Sequence, residues 1–538
     1  MPDMVTARSL YEQLSTTRNN FLRRAEKAAA LTIPMLVPRN GEIRVGSIKD
    51  FPTPRQGVGA RGVNHLASRI LLTLLPPQAP FFKFDLDAFG RSALSQGSPE
   101  IAAEVEATLR RMEDAIHRAV NIEAIRVPSS EICKHLIVAG NVCQYFPAKG
   151  GMAYYPLSQY VVVRDAEGDE IIDFVLKEYI DKRALPEDVK KLVEEKQSTA
   201  TTGGRIDSAT STSDDYVELY TRQYRVNEKL YKKYQEVCGV IIPGTEGTFK
   251  PSEVPYRPLR WTKVQGEAYG RGMIEEYLGD LVALEGLSQA LVEGALAAAR
   301  VVGLVLPNSQ TRAQDLNDAK NGEFVLGRKE DISFLQLEKF ADFRTASEVA
   351  ARIEKRLEQS FLLNSSIIRD AERVTAEEVR FAAQELETTL GGVYTVLAHE
   401  FQLPLVNSIL ARLQKKGEIP EFPEGVRESI KPVIVTGVDA LGRNAELDRL
   451  RAAVAVLAGI IGPEATAQTL KHGPLTTYIF TNAGVKAEGL IKTDQEMQAE
   501  QKQAQRMAMM QEAVSKGVGP GIGAVSAATL AQNEQGEA

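Results

Sequence analysis

Between residues 98 and 122 the apolar positions Ile101, Val105, Leu109 and Met112 recur three and four apart. That is the period of a helix with one buried face. Residues 7–31 mix charge with apolar positions and predict another helix. Residues 60–75 predict a third, stopped by Pro76-Pro77. Residues 40–55, with Pro52 and Pro54, predict a loop. From 141 to 180 the period changes. β-Branched and aromatic runs are split by turn residues, and Asp165-Ala-Glu-Gly168-Asp predicts a hairpin between strands. The polar, low-complexity stretch 197–213 predicts an exposed linker. Strand patterns resume at YVELYTRQYRV and YQEVCGVIIP.

The second half is patterned for helices. Residues 273–302, MIEEYLGDLVALEGLSQALVEGALAAARVV, lack proline and are rich in helix formers. They predict one helix about 40 Å long. Gly279, Ala283, Gly286, Ala290 and Gly294 fall on it at spacings of four, three, four and four. Each glycine costs a helix up to ~1 kcal/mol, so three on one face point to close approach by another backbone. Ordinary packing within one domain is the alternative. Residues 303–340 predict a strand-and-turn excursion with a turn at Asn321-Gly322. A second helix follows at about 345–362, with Glu348 four residues before Arg352. NSSIIRDAER interrupts it. Thr375-Ala-Glu-Glu378 is a capping box opening a helix towards residue 412, with bends expected at Gly391-Gly392 and Pro404. Residues 444–512 predict helices, and the glycine- and alanine-rich end predicts disorder.

A chain of 538 residues implies roughly two to four structural regions. Hydrophobic residues at 43% and charged residues at 25% match a folded, soluble protein. The 64 basic and 71 acidic residues leave a net charge of −7. A protein that grips nucleic acid usually carries a basic surplus, because neutralised phosphates supply most of the affinity; contact with DNA, if any, is light. Cys133, Cys143 and Cys238 form no C-x-x-C pair, which argues against a disulfide scaffold or zinc ribbon and suits a reducing cytosol. The five histidines show no metal-ligand spacing, so no metal or other cofactor is expected. The N-terminus has no apolar h-region, and no uninterrupted apolar run reaches the ~20 residues of a bilayer span. No membrane partner is expected.

One motif invites an enzymatic reading. Gly57, Gly59 and Gly62 have the spacing G-x-G-x-x-G of dinucleotide-binding turns. That turn should follow a buried strand, but IKDFPTPRQ precedes it, and two prolines and three charges do not make a central strand. The glycines are expected instead to let the chain turn and helix 60–75 pack closely. There is no Gly-Lys of a P-loop, no G-x-S-x-G elbow and no H-E-x-x-H. Glu377-Glu378 sits at a helix start, where the dipole favours acids. No catalytic residues are assigned.

YEQL, TIPMLVP, RQGVGARGVNHLAS, LIVAGNV, YGRGMIEEYLGDL, EDISFLQLEK, RVTAEEVR and ELETTLGGVY occur in an order that resembles the head-to-tail connector, or portal, family of short-tailed bacteriophages. The resemblance runs from about residue 10 to 410 and is weaker over the last hundred residues. It implies an α+β, predominantly helical fold assembled as a ring, usually of twelve, at one capsid vertex of the virion. It further implies a wing at 1–272, a first stem helix at 273–300, a clip at 301–341, a second stem helix at 342–363 and a tunnel loop at 364–374. Wing resumes at 375–440, followed by a helical crown at 441–512 and a disordered tail at 513–538. Implied partners are further copies of the chain, double-stranded DNA passing without sequence preference, the terminase large subunit, the tail adaptor or tail tube protein, and the internal core, scaffold and major capsid proteins. On this map the small-residue stripe packs stem helices around the ring. Arg369, Glu372 and Arg373 become rings of charge in the channel, with Arg369 either braking DNA slippage or pairing with a neighbouring acid. Arg312, Asp315, Lys320, Arg328 and Lys329 become docking charges of the clip. Another helical core or ejection protein, or a nucleotide-binding enzyme using Gly57 to Gly62, are the alternatives.

Overall fold

A computed structural model describes residues 6–38, 51–77, 80–87, 99–168, 170–193, 216–299, 302–307, 311–321, 323–335, 340–363, 391–420, 429–434 and 453–460, with a few isolated positions. Residues 1–438 form one compact unit and 439–538 a second. In the second, residues 453–460 are helical, with Val456, Leu457 and Ile460 exposed. Most of the expected crown and tail lies outside the described residues.

Helix α1 (Ala7–Ala30) starts where Thr6 accepts a hydrogen bond from the Ser9 amide. The Glu236 carboxylate, 229 residues on, accepts from the Ala7 amide at 2.8 Å. Both satisfy amides that a helix start leaves without partners. Helix α2 (Val58–Leu74) turns Val63, Leu66, Ala67, Ile70 and Leu74 into the main core. Helix α3 (Pro99–Ile122) adds Val105, Leu109, Met112 and Ile116, the face its periodicity predicts.

Helix α4 (Arg126–Ala139) has no such signal. Its second half, Ile132 to Ala139, is almost wholly buried, so no polar face marks it as a helix. It ends at Gly140, whose φ of +69° suits a glycine. A Cβ there would also strike the Arg271–Gly272 backbone.

Every strand pairing among the described residues is antiparallel. Strands β2 (Asn141–Tyr145), β3 (Ala153–Pro156) and β10 (Tyr256–Arg260) form one sheet in the order β10-β2-β3. A larger sheet runs β4 (Tyr160–Arg164), β5 (Ile171–Asp181), β6 (Tyr216–Asn227), β7 (Leu230–Val237) and β8 (Val240–Ile241), with β9 (Gly247–Phe249) also on β7. The expected hairpin joins β4 to β5. The Gly168 amide bonds the Asp165 carbonyl, and Gly168 takes φ +76°. Tyr160, Phe174 and Tyr256 stack where the two sheets meet.

Strand β1 (Phe82–Leu86) pairs with β13 (Ile430–Ile434) across nearly the whole unit. This pairing brings the late segment into the same core as α2, through α8 (Gly392–Leu397) and α9 (Leu403–Lys416). Gly391, at φ +49°, opens α8. A π-helical turn, Ala398–Gln402, links α8 to α9 just before Pro404. Proline has no N–H for the carbonyl four residues back and its ring crowds that carbonyl, so the wider turn absorbs the mismatch. The architecture is α+β.

Candidate functional site: a two-helix hairpin, its base and its tip

Residues 273–302 are not one helix. A 3-10 turn, Met273–Glu275, precedes α5 (Leu278–Ala299). Helix α7 (Phe340–Ser360) returns alongside it. The two run antiparallel: Asp280 pairs with Arg356 near one end, its carboxylate 2.8 Å from Nε, and Gly294 faces Phe343 near the other. Leu281 and Leu284 are buried on α5. Ala350 and Leu357 on α7, and Phe361 just after it, are buried opposite.

The small-residue stripe divides in two. A Cβ on Gly294 would collide with the Phe343 ring, so that glycine serves packing inside the chain. At Gly279 and Gly286 a Cβ would have nothing among the described residues within 4 Å. Gly279, Ala283, Gly286 and Ala290 are all exposed. Beside them Val282, Val292 and Leu296 are exposed at 55%, 49% and 63%. The outward face of α5 thus presents small and apolar positions that no described residue covers, with the exposed Gln289–Glu293 pair among them.

The base of the hairpin is fastened by the segment that carries the glycine motif. The Glu285 carboxylate accepts from the Arg55 and Gln56 amides at 3.0 and 3.1 Å. Arg55 lies 3.6 Å from Glu293, and Arg61 on α2 pairs with Glu358 on α7. Gln56 accepts from the Gly59 amide at 2.9 Å and donates to the Leu31 carbonyl. A Cβ at Gly59 would meet that carbonyl at 2.5 Å, and one at Gly62 would meet the Phe361 ring at 2.5 Å. The motif's second and third glycines therefore give up their side-chain space to the Leu31 backbone and to Phe361. Residues 51–56, immediately before Gly57, form no strand. Glu285 and Phe361 carry no local sequence signal, because their partners lie about 230 to 300 positions away.

By length and composition α5 is sufficient to cross a bilayer: Leu278–Ala298 has a mean hydropathy of 1.4. The expectation drawn from uninterrupted runs stands beside this, because acids interrupt the stretch. Alanine and leucine lift the average although Glu285 and Glu293 break the run, and both acids are engaged by the Arg55–Gln56 segment.

At the tip, β11 (Val302–Val305) pairs with β12 (Ile332–Leu335), and a short helix α6 (Ala313–Asp318) lies between. The Glu323 amide bonds the Lys320 carbonyl, closing the turn expected at Asn321-Gly322, though Gly322 itself is outside the described residues. Thr311 organises the rest. It donates to Asp331 at 2.9 Å and accepts from the Arg328 amide at 3.1 Å. Arg312, Asp315, Lys320, Arg328 and Lys329 are all exposed, and none lies in an ion pair among the described residues. The tip also has an apolar component that the charge pattern does not reveal. Phe324 is 102% exposed and Leu326 87%, with Leu306 at 57%. Arg369, Glu372 and Arg373 lie outside the described residues.

Elsewhere, Arg260 is almost fully buried and bonds Glu400 of the π-helical turn at 3.1 Å from Nε, while the Arg260 amide donates to the same carboxylate at 3.0 Å. Burial pushes the Cys133 thiol up to about 12 and raises Cys143 well above its ordinary value, so neither is a ready thiolate at neutral pH. Among the described residues no group of three or more His, Cys, Asp or Glu side chains is placed to hold a metal ion.

The family model for bacteriophage head to tail connecting protein matches residues 5–514. The chain belongs to that family. The portal protein of Enterobacteria phage T3 is 40% identical over 532 residues, covering 97% of this chain and 94% of that protein. The portal protein of Escherichia phage T7 is 39% identical over 510 residues, covering 94% and 91%. A solved chain from the virion of a native gene transfer agent particle is 12% identical with a TM-score of 0.33, covering 80% of this chain and 90% of that one. The connector is therefore a structural part of a phage particle, joining head to tail.

Proposed function

We propose that copies of this connector close into a ring, twelve in number, at one capsid vertex, and that α5 and α7 form the wall of its channel. The observation that carries this is the uncovered flank of α5. Glycines weaken a helix unless something must come close, and at Gly279 and Gly286 nothing among the described residues does. A neighbouring copy supplies the missing surface and covers Val282, Val292 and Leu296.

In this reading residues 1–272 and 375–440 are the wing, 273–300 and 342–363 the stem, 301–341 the clip, 364–374 the tunnel loop and 441–512 the crown. Double-stranded DNA passes through the channel during packaging and ejection. Ring closure multiplies Arg369, Glu372 and Arg373 into belts of alternating sign that touch phosphates lightly. The clip carries Arg312, Asp315, Lys320, Arg328 and Lys329 around the apolar pair Phe324 and Leu326, and meets first the terminase large subunit and then the tail adaptor. Internal core, scaffold and capsid proteins meet the wing and crown. The protein acts by shape and charge, with no chemical step of its own.

The test is Gly279→Leu with Gly286→Leu. The added Cβ atoms meet nothing among the described residues, both positions are exposed, and leucine improves helix propensity, so thermal stability should hold. Native mass spectrometry and negative-stain images should show rings for the unaltered chain and dissociated subunits for the double variant. Rings that persist in the variant would overturn the assignment of this flank.

A further inference from the structure

A cleft of about 640 Å³ opens between α1 and the start of the large sheet. Its lining includes Tyr11, Arg18, Asn19, Arg23, Ser158 and Lys177. Arg18 is only 7% exposed. Its Nη1 donates to the Tyr11 hydroxyl at 2.8 Å and the Ser158 carbonyl at 2.7 Å, and its Nη2 to Asn19 at 3.0 Å. All three acceptors are neutral. Its enclosed Nε and the enclosed Ser158 hydroxyl have no hydrogen-bond partner among the described residues. Arg23, on the rim, donates to the Asn20 side chain at 2.7 Å. Glu26 also lines the cleft, yet neither guanidinium has a carboxylate within 4 Å among the described residues. Lys177 does, being 2.9 Å from Glu218, and its ammonium and the Arg18 guanidinium both lie near the Tyr11 ring, 6.0 and 5.5 Å from its centre.

A buried cation is costly unless an anion answers it. Here one buried and one rim guanidinium share a concave polar surface with amide and hydroxyl donors, and no described carboxylate meets either charge. Guanidinium forks match the oxygens of a phosphate or carboxylate. We infer that this cleft is an oxyanion site, taking a phosphate group or the carboxylate of an acidic side chain. Arg18 holds the fixed charge, Arg23 closes over the oxygens from the rim, and Asn19 and Lys177 complete the wall. The site lies on the compact 1–438 unit.

The probe is inorganic phosphate, titrated calorimetrically into the full chain at constant ionic strength, with dissociated subunits and rings as separate samples. Dissociated subunits should bind phosphate saturably. Arg23→Gln should bind about tenfold more weakly, the loss of one charge-assisted contact, with its melting temperature in phosphate-free buffer unchanged because Arg23 is exposed. Arg18→Met should abolish binding. Rings that bind equally well identify a free phosphate ligand. Rings that exclude phosphate, when subunits take it up, identify a carboxylate from a second copy. Absence of binding to dissociated subunits, or equal binding by Arg23→Gln, overturns the site. The subunit measurement does not require the ring, so its result is separate from the fate of the ring assignment.

Discussion

Gly62 and Gly286 are alike in sequence terms, each a glycine inside a helix, yet their surroundings demand opposite outcomes on mutation. A methyl at Gly62 would sit 2.5 Å from the ring of Phe361, which is fully buried with no room to move away. Gly62→Ala should cost about 1–3 kcal/mol of overpacking, read by urea unfolding. Gly286→Ala meets nothing and should leave the subunit unchanged or up to ~1 kcal/mol more stable. His135 sets a second expectation at this scale. It is buried against Tyr154, and burial lowers its pKa to about 4 from an ordinary 6.5. The unfolded chain takes up this proton below about pH 6.5 while the folded chain resists until about pH 4. Stability is therefore complete above the higher value and falls through the window between them, by about 3 kcal/mol at most. Replacing His135 with Gln should flatten that part of the stability–pH curve, measured by denaturant unfolding from pH 7 to pH 4.

At the scale of elements, the π-helical turn before α9 links two distant parts of the fold. Its Glu400 reaches β10 and neutralises Arg260, whose side chain is 1% exposed. Glu400→Gln leaves that guanidinium buried without its charge partner. About 3 kcal/mol should be lost, with the melting transition of the subunit lowered accordingly. A variant that melts with the unaltered chain would mean that the Glu400 charge is not what stabilises buried Arg260. The sequence announced the bend, because Pro404 must disturb the helix it begins, but not the residue the bend presents. The same division holds elsewhere. Helices α1, α2 and α3 and the β4–β5 hairpin were legible because a periodic apolar face or a turn glycine writes itself locally. Helix α4 was not, since complete burial erases the polar positions that reveal a period. The pairing of β1 with β13 was not, since a register spanning some 350 residues leaves no local trace. Of the hairpin, the small-residue stripe was visible. That Gly294 faces inward while Gly279 and Gly286 face outward depends on how α7 lies against α5, which spacing alone does not set.

For the whole molecule, charge and apolar surface pull against each other. Each chain carries a net charge of −7, so closing the proposed ring would gather like charges, and their repulsion would have to be overcome by what the contact buries. The outward face of α5 presents small and apolar positions, and burying them is insensitive to screening, whereas repulsion between subunits is reduced as the Debye length shrinks from about 30 Å at 0.01 M salt to about 10 Å at 0.1 M. Ring assembly should therefore strengthen with added sodium chloride across that range, followed by sedimentation velocity at fixed protein concentration. Assembly driven chiefly by opposite-charge pairs between subunits would weaken over the same range. The sign of the salt dependence thus separates an apolar contact through α5 from a salt-bridged one. Phe324→Ser with Leu326→Ser provides the internal control: these side chains lie at the hairpin tip, away from the stripe, and the salt response of the proposed ring closure should be unchanged if the α5 face is what drives it.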